Sequence, residues 1–420
     1  MMTLRQKIGD RAAFLWGAEL VTTRGTMSDD RGVHTRNLAQ ALGEMDRLDW
    51  ISITDNAGGN PMLGPMALGK PILYAGKEVL IHLSCKDFNR AALESEAWML
   101  SSEGFHNILA LSGDYPTVGY RGAPKPVFDI DSIGLLTMLR EMNGGFAPPS
   151  KKKARRLDPT QFFAGAVATN FKLHENEVVP QYLKLEKKLE VGAEFIIGQI
   201  GYDARKSHEM KAYLDARGRS DVPIIGNVFL LNPRLAKFFN SGKMPGVVVS
   251  DALLATCEAG RDRDFFLDLA AKQCAIFRGL GYRGVYLGGI DRSEDLQAIL
   301  EREQAFSKDD WKAFAREIRY SRPGEYFYFS EDMTRVNTTP APSAPLAYRL
   351  NKWVHEIAFT PGHALYNLAR RIYSGSKKPE QGPGLLRTAE HLAKTVMFQC
   401  KDCGDCSLPD IAFLCPESQC

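Results

Sequence analysis

The stretch Val79–Leu111, VLIHLSCKDFNRAALESEAWMLSSEGFHNILAL, packs an apolar segment, a polar turn, an amphipathic run and a second apolar segment into one unit. Val79–Ser84 and Asn107–Leu111 are short, apolar and bounded by polar or glycine-containing turns, the signature of buried strands. Between them Arg90–Glu103 repeats apolar residues at spacings of three and four, which predicts a helix buried along one stripe. The same rhythm extends in both directions. Further strand segments are Trp16–Val21 (WGAELV), Trp50–Thr54 (WISIT), Phe162–Ala168 (FFAGAVA), Phe195–Ile200 (FIIGQI), Pro223–Leu230 (PIIGNVFL) and Gly284–Leu287 (GVYL). Helical stretches are expected over Arg36–Leu48, Ser132–Met142, Val178–Leu189, Ser207–Ala216, Asp264–Leu280 and Glu294–Phe306. Eight strands alternating with helices predict an α/β chain folded as a (β/α)8 TIM barrel, whose chemistry sits at the carboxyl ends of the strands.

Length and composition agree. The 420 residues suffice for one large barrel and a smaller appendage, and 44% hydrophobic with 25% charged residues is ordinary for a globular protein. A net charge of +3 gives no basic footprint for nucleic acid, and no apolar run approaches a membrane span. The amino terminus, MMTLRQKIGDRAAF, lacks the apolar core of a secretory signal, so the cytoplasm is expected. Gly144, Gly145, Pro148, Pro149 and the basic run Lys151–Arg156 break the helical pattern and read as a solvated surface loop.

After the eighth strand two helices lead to about Arg322, followed by the aromatic stretch GEYFYF ending at Phe329. Proline and small polar residues in Thr338–Pro345 mark a linker. The expected organisation is therefore a barrel with trailing helices over 1–330, a linker over 331–347, and a small, mainly helical, cysteine-rich domain over 348–420.

Polar residues cluster where the strands end: Glu19, Thr54, Asp55, His82, Asp114, Asn170, Gln199, Asn227 and Asp291. Each would need a partner if buried, so their convergence on one mouth predicts a polar cleft able to bind a heterocycle. Apolar neighbours around Glu19 would raise its pKa and keep a proton available near neutrality; an ion pair with Arg24 is the competing reading. Asp114, after Ser112 and Gly113, suits either a ring N–H or a turn. His82 reads equally as a core histidine, while the Gln199 amide can pair with a donor and an acceptor edge.

In this order the motifs resemble the methylenetetrahydrofolate reductase family. Glu19–Arg24 (ELVTTR) resembles the family's first-strand motif, Ser52–Gly58 (SITDNAG) the second, His82–Cys85 (HLSC) the third and Ile108–Asp114 (ILALSGD) the fourth. The resemblance spans about residues 10–300. It implies Glu19 as proton donor and Asp114 as a carboxylate near both cofactor and pterin, together the catalytic pair. Cofactor contacts are implied at Thr54, His82, Asp114, Ala168, Asn170, His174 and Lys188, and folate contacts at Glu19, Asp114 and Gln199. The implied reaction reduces 5,10-methylenetetrahydrofolate to 5-methyltetrahydrofolate, with NADH or NADPH as co-substrate and a bound flavin, most often FAD. The chain departs from the family at Ser112, where arginine is common, at Asn170, and at Ile200 and Gly201, where aromatics are common; Tyr202 is a candidate substitute. The departures around Ser112 and Ile200 leave room for a flavin-independent reductase on the same barrel; a further alternative is an electron-transfer or docking subunit whose cysteine tail binds a partner and whose barrel is inactive.

Five cysteines crowd the carboxyl terminus, with Cys400, Cys403 and Cys406 spaced C-x2-C-x2-C and Cys415 followed by proline. In a chain without secretory features this favours metal over disulfides, as an iron–sulfur cluster or zinc, with Cys420 as a further ligand; reduced thiols that bind nothing are the alternative. The tail resembles the cysteine-rich domain attached to some members of the same family. In those relatives it runs further, so the expectation is a sequence incomplete at Cys420, with a truncated site empty or loosely held.

Overall fold

The computed structural model describes residues 2–122, 124–146, 156–244 and 246–337, with isolated positions between 346 and 368. Its eight strands, β1 (Leu15–Leu20), β2 (Trp50–Ile53), β3 (Glu78–Ser84), β4 (Asn107–Leu111), β5 (Phe163–Ala168), β6 (Phe195–Gly198), β7 (Ile224–Phe229) and β8 (Gly284–Gly288), pair in chain order. All pairings are parallel, and β8 returns to β1 through Leu15↔Gly284 to Ala18↔Leu287, closing the barrel. The sequence expectation of a (β/α)8 barrel therefore holds.

Alternation along each strand splits the core in two. Outward residues such as Ile51, Ile81, Ile108 and Val285 pack on the helices, whereas Leu15, Trp50, Leu80, Leu109, Phe163, Phe195, Ile197, Ile225 and Tyr286 fill the barrel itself. The lumen is crowded enough to require glycine opposite its largest rings. A Cβ on Gly17 would lie 2.1 Å from the Trp50 ring, and one on Gly165 would lie 2.2 Å from Phe195. The helix α1 (Leu4–Gly9) then plugs the amino-terminal end, adding Leu4 and Ile8 to the inner cluster. Its start carries a capping box between Thr3 and Gln6, and Leu4 N donates to Glu78 at 3.0 Å.

The outer layer comprises α2 (Asp30–Gly43), α3 (Met66–Tyr74), α4 (Arg90–Ser102), α5 (Ser132–Asn143), α6 (Glu175–Glu190), α7 (Ala204–Ala216), α8 (Pro233–Asn240), α9 (Asp251–Glu258), α10 (Arg263–Gly279), α11 (Ser293–Ala305) and α12 (Trp311–Glu317). Among these, α3, α8 and α9 lie outside the helices expected from periodicity, and α2 starts earlier than expected, at Asp30.

Beyond α12 the chain stays attached. Ala204 N donates to Ile318 O, Tyr320 N to Tyr202 O, and Tyr326 N to Leu173 O, so this segment crosses the loops after β5 and β6. Asn337 Nδ2 donates to the carbonyls of Phe327 and Phe329, so ordered packing reaches into the stretch expected to be linker. Described positions such as Trp353 and Leu365 are helical. Lys151–Ala154 and Arg155 of the basic run, the linker residues 338–345, and the cysteine tail lie outside the described residues. Among the described residues no helix is long and apolar enough to cross a membrane.

Candidate active site

The plug leaves the carboxyl-terminal mouth as the approach to the lumen. Glu19 occupies the inward face of β1, in register with Ser52 of β2, and its Oε2 accepts from the Tyr286 hydroxyl of β8. The competing reading of Glu19, an ion pair with Arg24, is absent among the described contacts. Burial pushes the Glu19 carboxyl above its ordinary pKa, with the Tyr286 hydrogen bond opposing that shift. Gly288 matters here, because a Cβ would stand 3.1 Å from Glu19 Oε1 and crowd the carboxyl.

His82, on β3, places Nε2 3.4 Å from the same Tyr286 hydroxyl. Burial drops its pKa to about 4, so it is neutral at physiological pH. A hydroxyl that donates to Glu19 has lone pairs left for a donor, which requires the His82 tautomer protonated at Nε2. The result is a file of three groups, Glu19, Tyr286 and His82, with no fixed charge beside the carboxyl.

Asp114 follows β4 in a turn built by Gly113 at φ +94°. Its Oδ2 accepts from Gly58 N at 2.9 Å, which ties it to the loop after β2. The two loops meet again where Thr117 N donates to Gly59 O, and a Cβ on Gly59 would strike Tyr115 O at 2.1 Å. Burial raises the Asp114 pKa, while the Gly58 hydrogen bond and the charge of Lys86 lower it. Lys86 is 2% exposed, and its ammonium pairs with Asp87 at 2.5 Å while its stem runs under Gly113. Nothing in the sequence marked Lys86, since a lysine after a strand is ordinarily solvated. Asp55, also on this side, accepts from Ser84 N and Oγ at 3.1 and 2.7 Å.

Thr54 is buried, with Thr22 N 3.4 Å from its hydroxyl. Ala168 ends β5 as a small residue, and Gln199 N donates to its carbonyl at 2.9 Å. Gln199 Oε1 accepts from Ile200 N, which leaves the amide nitrogen as the end able to face a ligand. Lys188, near the end of α6, donates to Val167 O at 2.7 Å; burial and nearby Lys184 pull its pKa down to about 8, opposed by Asp131 at the start of α5.

Two expected cofactor residues are placed elsewhere. Asn170 is fully buried, and its nitrogen donates to Tyr182, Glu209 and the Lys206 carbonyl, so it braces α6 against α7 instead of facing the mouth. His174 is the N-cap of α6, where its backbone N donates to Glu177. Tyr202 is likewise committed, its hydroxyl donating to Phe229 O at 3.1 Å. Ser112 Oγ accepts from Ser132 N at the start of α5. At Gly201 the missing aromatic has a physical counterpart: the Phe171 ring fills that space, 2.1 Å from where a Cβ would be.

For a flavin, the donor set is chemically suitable. Thr54 and neutral His82 offer uncharged hydrogen-bonding groups, Asp114 an acceptor for ring N–H, and Lys188 an ammonium with N–H groups beyond the one given to Val167. Among the described residues no group of three or more His, Cys, Asp or Glu side chains could hold a metal ion; the cysteine tail lies outside them.

Comparison with known proteins places this barrel. Among solved structures, an uncharacterized protein from Clostridium thermocellum that binds two copies of 5-methyl-5,6,7,8-tetrahydrofolic acid is similar at TM-score 0.50 and 12% identity, over 71% of this chain and 97% of that one. A 2,3-dimethylmalate lyase is similar at TM-score 0.40 and 12% identity, over 76% and 93%. The dihydropteroate synthase of Yersinia pestis is similar at TM-score 0.35 and 10% identity, over 70% and 93%. At 12% identity the first of these likenesses is one of fold alone. The methylenetetrahydrofolate reductase family model matches residues 30–304, and the model for the methylene-tetrahydrofolate reductase C terminal matches 384–420. With the first match covering more than half of its length, the chain belongs to the methylenetetrahydrofolate reductase family.

Proposed function

We propose that the protein reduces 5,10-methylenetetrahydrofolate to 5-methyltetrahydrofolate, with NADH or NADPH as the reductant and a bound flavin as the carrier. The observation that carries this reading is the enclosed Glu19 carboxyl at the mouth, held by Tyr286 and raised in pKa, on a barrel of this family. Opening the methylene bridge breaks a C–N bond and leaves an electron pair on the departing nitrogen. Glu19 delivers its proton to that nitrogen, so the iminium carbon is exposed without forming a free amide anion. A flavin, when bound, supplies hydride to that carbon and takes hydride from the nicotinamide.

The protein's own groups do the rest. Tyr286 fixes the Glu19 carboxyl and takes up a share of its charge after the proton has left. Asp114, anchored by Gly58, holds ring N–H groups and offsets positive charge that develops on the opened folate. Gln199 presents its amide nitrogen to an acceptor on the pterin. Thr54, His82, Ala168 and Lys188 would hold the flavin.

The test is anaerobic absorption spectroscopy of the purified protein. Flavin bands bleached by NADH or NADPH and restored by methylenetetrahydrofolate would support the reading. A colourless protein that reduces methylenetetrahydrofolate directly would replace it with the flavin-independent reductase, and one inactive even with added FAD would favour a docking role.

A further inference from the structure

The geometry points to Asn227 as an additional folate-binding residue, one that reads a donor–acceptor edge of the pterin between Gln199 and Glu19. This rests on the reading of the site as a folate site. Four amide side chains are buried among the described residues: Asn107, Asn170, Asn227 and Gln273. Asn107 donates to Glu78 and to Val79 O, Asn170 donates to three partners, and Gln273 donates to Gly201 O. Asn227 is the exception, because no described residue hydrogen-bonds either end of its side chain and its Oδ1 is fully enclosed. The oxygen is enclosed without a partner and the nitrogen is left without a protein acceptor, so this amide keeps hydrogen-bonding capacity that an incoming group can fill.

Its direction is fixed by strand alternation. Gly226, one residue earlier, faces the helices, since a Cβ there would lie 2.3 Å from the Phe277 ring of α10. Asn227 therefore faces the lumen, in register with Tyr286 of β8, the residue that holds Glu19. On its other flank, Gln199 directly follows β6, which ends at Gly198. Asn227 thus stands between the proton donor and the amide already read as a folate contact. Its nitrogen, which is not enclosed, donates towards the lumen, and a half-turn of the amide about Cβ–Cγ offers the oxygen there as an acceptor, which together suit a ring edge where an N–H or exocyclic amine adjoins a ring nitrogen or carbonyl. A pterin and a flavin both carry such an edge and a nicotinamide ring does not; the place between Gln199 and Glu19, the groups read as folate contacts, assigns it to the pterin.

Two variants of the full chain test this, Asn227→Leu, which keeps the branching and the number of heavy atoms, and Asn227→Ala, which leaves space. Binding of 5-methyltetrahydrofolate is measured by calorimetry, with steady-state kinetics and thermal melting on the same preparations. Both variants are expected to raise the folate Kd and KM by about tenfold or more, with a smaller change in kcat, as loss of binding shared by ground and transition states requires. The Leu variant is expected to melt no lower than the wild type, because an unpaired amide has been removed; a purely structural asparagine would lower it. Either variant binding folate as tightly as the wild type overturns the assignment alone. Wild-type protein that neither binds nor turns over folate overturns the folate reading and this assignment together.

Discussion

Replacing Glu19 with glutamine keeps the shape of the side chain and an acceptor for Tyr286 but removes the transferable proton. General acids contribute about 10²–10⁴-fold, equivalent to about 3–5 kcal/mol of barrier. In this protein no other described acid touches the Tyr286–Glu19 pair, and neutral His82, with its pKa near 4, cannot stand in. The expected result for Glu19→Gln is therefore a fall of at least about 10²-fold in methylenetetrahydrofolate reduction, followed by stopped-flow absorbance. Reduction of a quinone acceptor by the same protein, which needs no proton on a departing nitrogen, is expected to fall far less. The pH dependence has a definite sign. Glu19 is active when protonated, so the folate reaction weakens as pH rises through its elevated pKa, and that limb disappears in the variant. Stability moves the other way from the usual carboxylate. Because the native state binds this proton more tightly than the unfolded chain, the wild type loses stability as pH rises from the unfolded value to the native one. Glu19→Gln is then expected to melt above the wild type at pH 8 and level with it at acidic pH. A variant that retains more than about a third of the folate rate, with its alkaline limb intact, would refute Glu19 as the proton donor.

Other expectations follow from the same contacts. Tyr286→Phe removes the hydrogen bond that holds the Glu19 pKa down, so the alkaline limb of the folate reaction should move to higher pH; an unmoved limb would separate the two residues. Lys188→Met should raise the flavin dissociation constant by about tenfold, read from the 450 nm to 280 nm absorbance ratio after gel filtration, as expected for losing one charge-assisted contact. Gly113→Ala places a side chain at φ +94° and 2.8 Å from Lys86 Cδ, and should cost about 1–2 kcal/mol or more in urea unfolding. Lys206→Met removes a buried ammonium from Glu325 and from the Tyr326 carbonyl, and should destabilise by about 3–5 kcal/mol; a neutral outcome would mean that the segment after α12 is not held by that charge.

Much of the architecture was legible because each strand is short, apolar and cut off by a polar edge. Asn107–Leu111 was delimited to the residue, and the others shifted by one or two positions at their ends. Helices without a sustained apolar stripe escaped notice. In α1 only Leu4 and Ile8 are buried, yet its capping box, Thr3 with Gln6, was a readable start signal. The helix α3 carries Pro71 and Gly69 inside it, which reads locally as a loop.

At the candidate site, residue type and strand position together singled out Glu19, Asp114 and Gln199. They could not identify contacts between distant strands. The Tyr286 hydroxyl meets Glu19 across 267 positions of chain, and an apolar β8 gave no sign of it. Asn170 shows the opposite limit. Two residues beyond the end of β5 it looked like a mouth residue, but the chain turns outward there and Lys206, Glu209 and Tyr182 claim its amide.

In the proposed reaction, the plug at the amino-terminal end would also set the order of events. Below Glu19 the lumen is filled by Leu15, Trp50, Leu80 and Leu109 and sealed by Leu4 and Ile8, so protons cannot climb from that side. His82 is too weak a base to store one between turnovers. Under that proposal, recharging of Glu19 would come through the same mouth that the folate fills, and the carboxyl would be reloaded only once that mouth is clear. Product departure and proton uptake would thereby be joined in a single step, and a slow-leaving product would hold the protein in its spent ionic form.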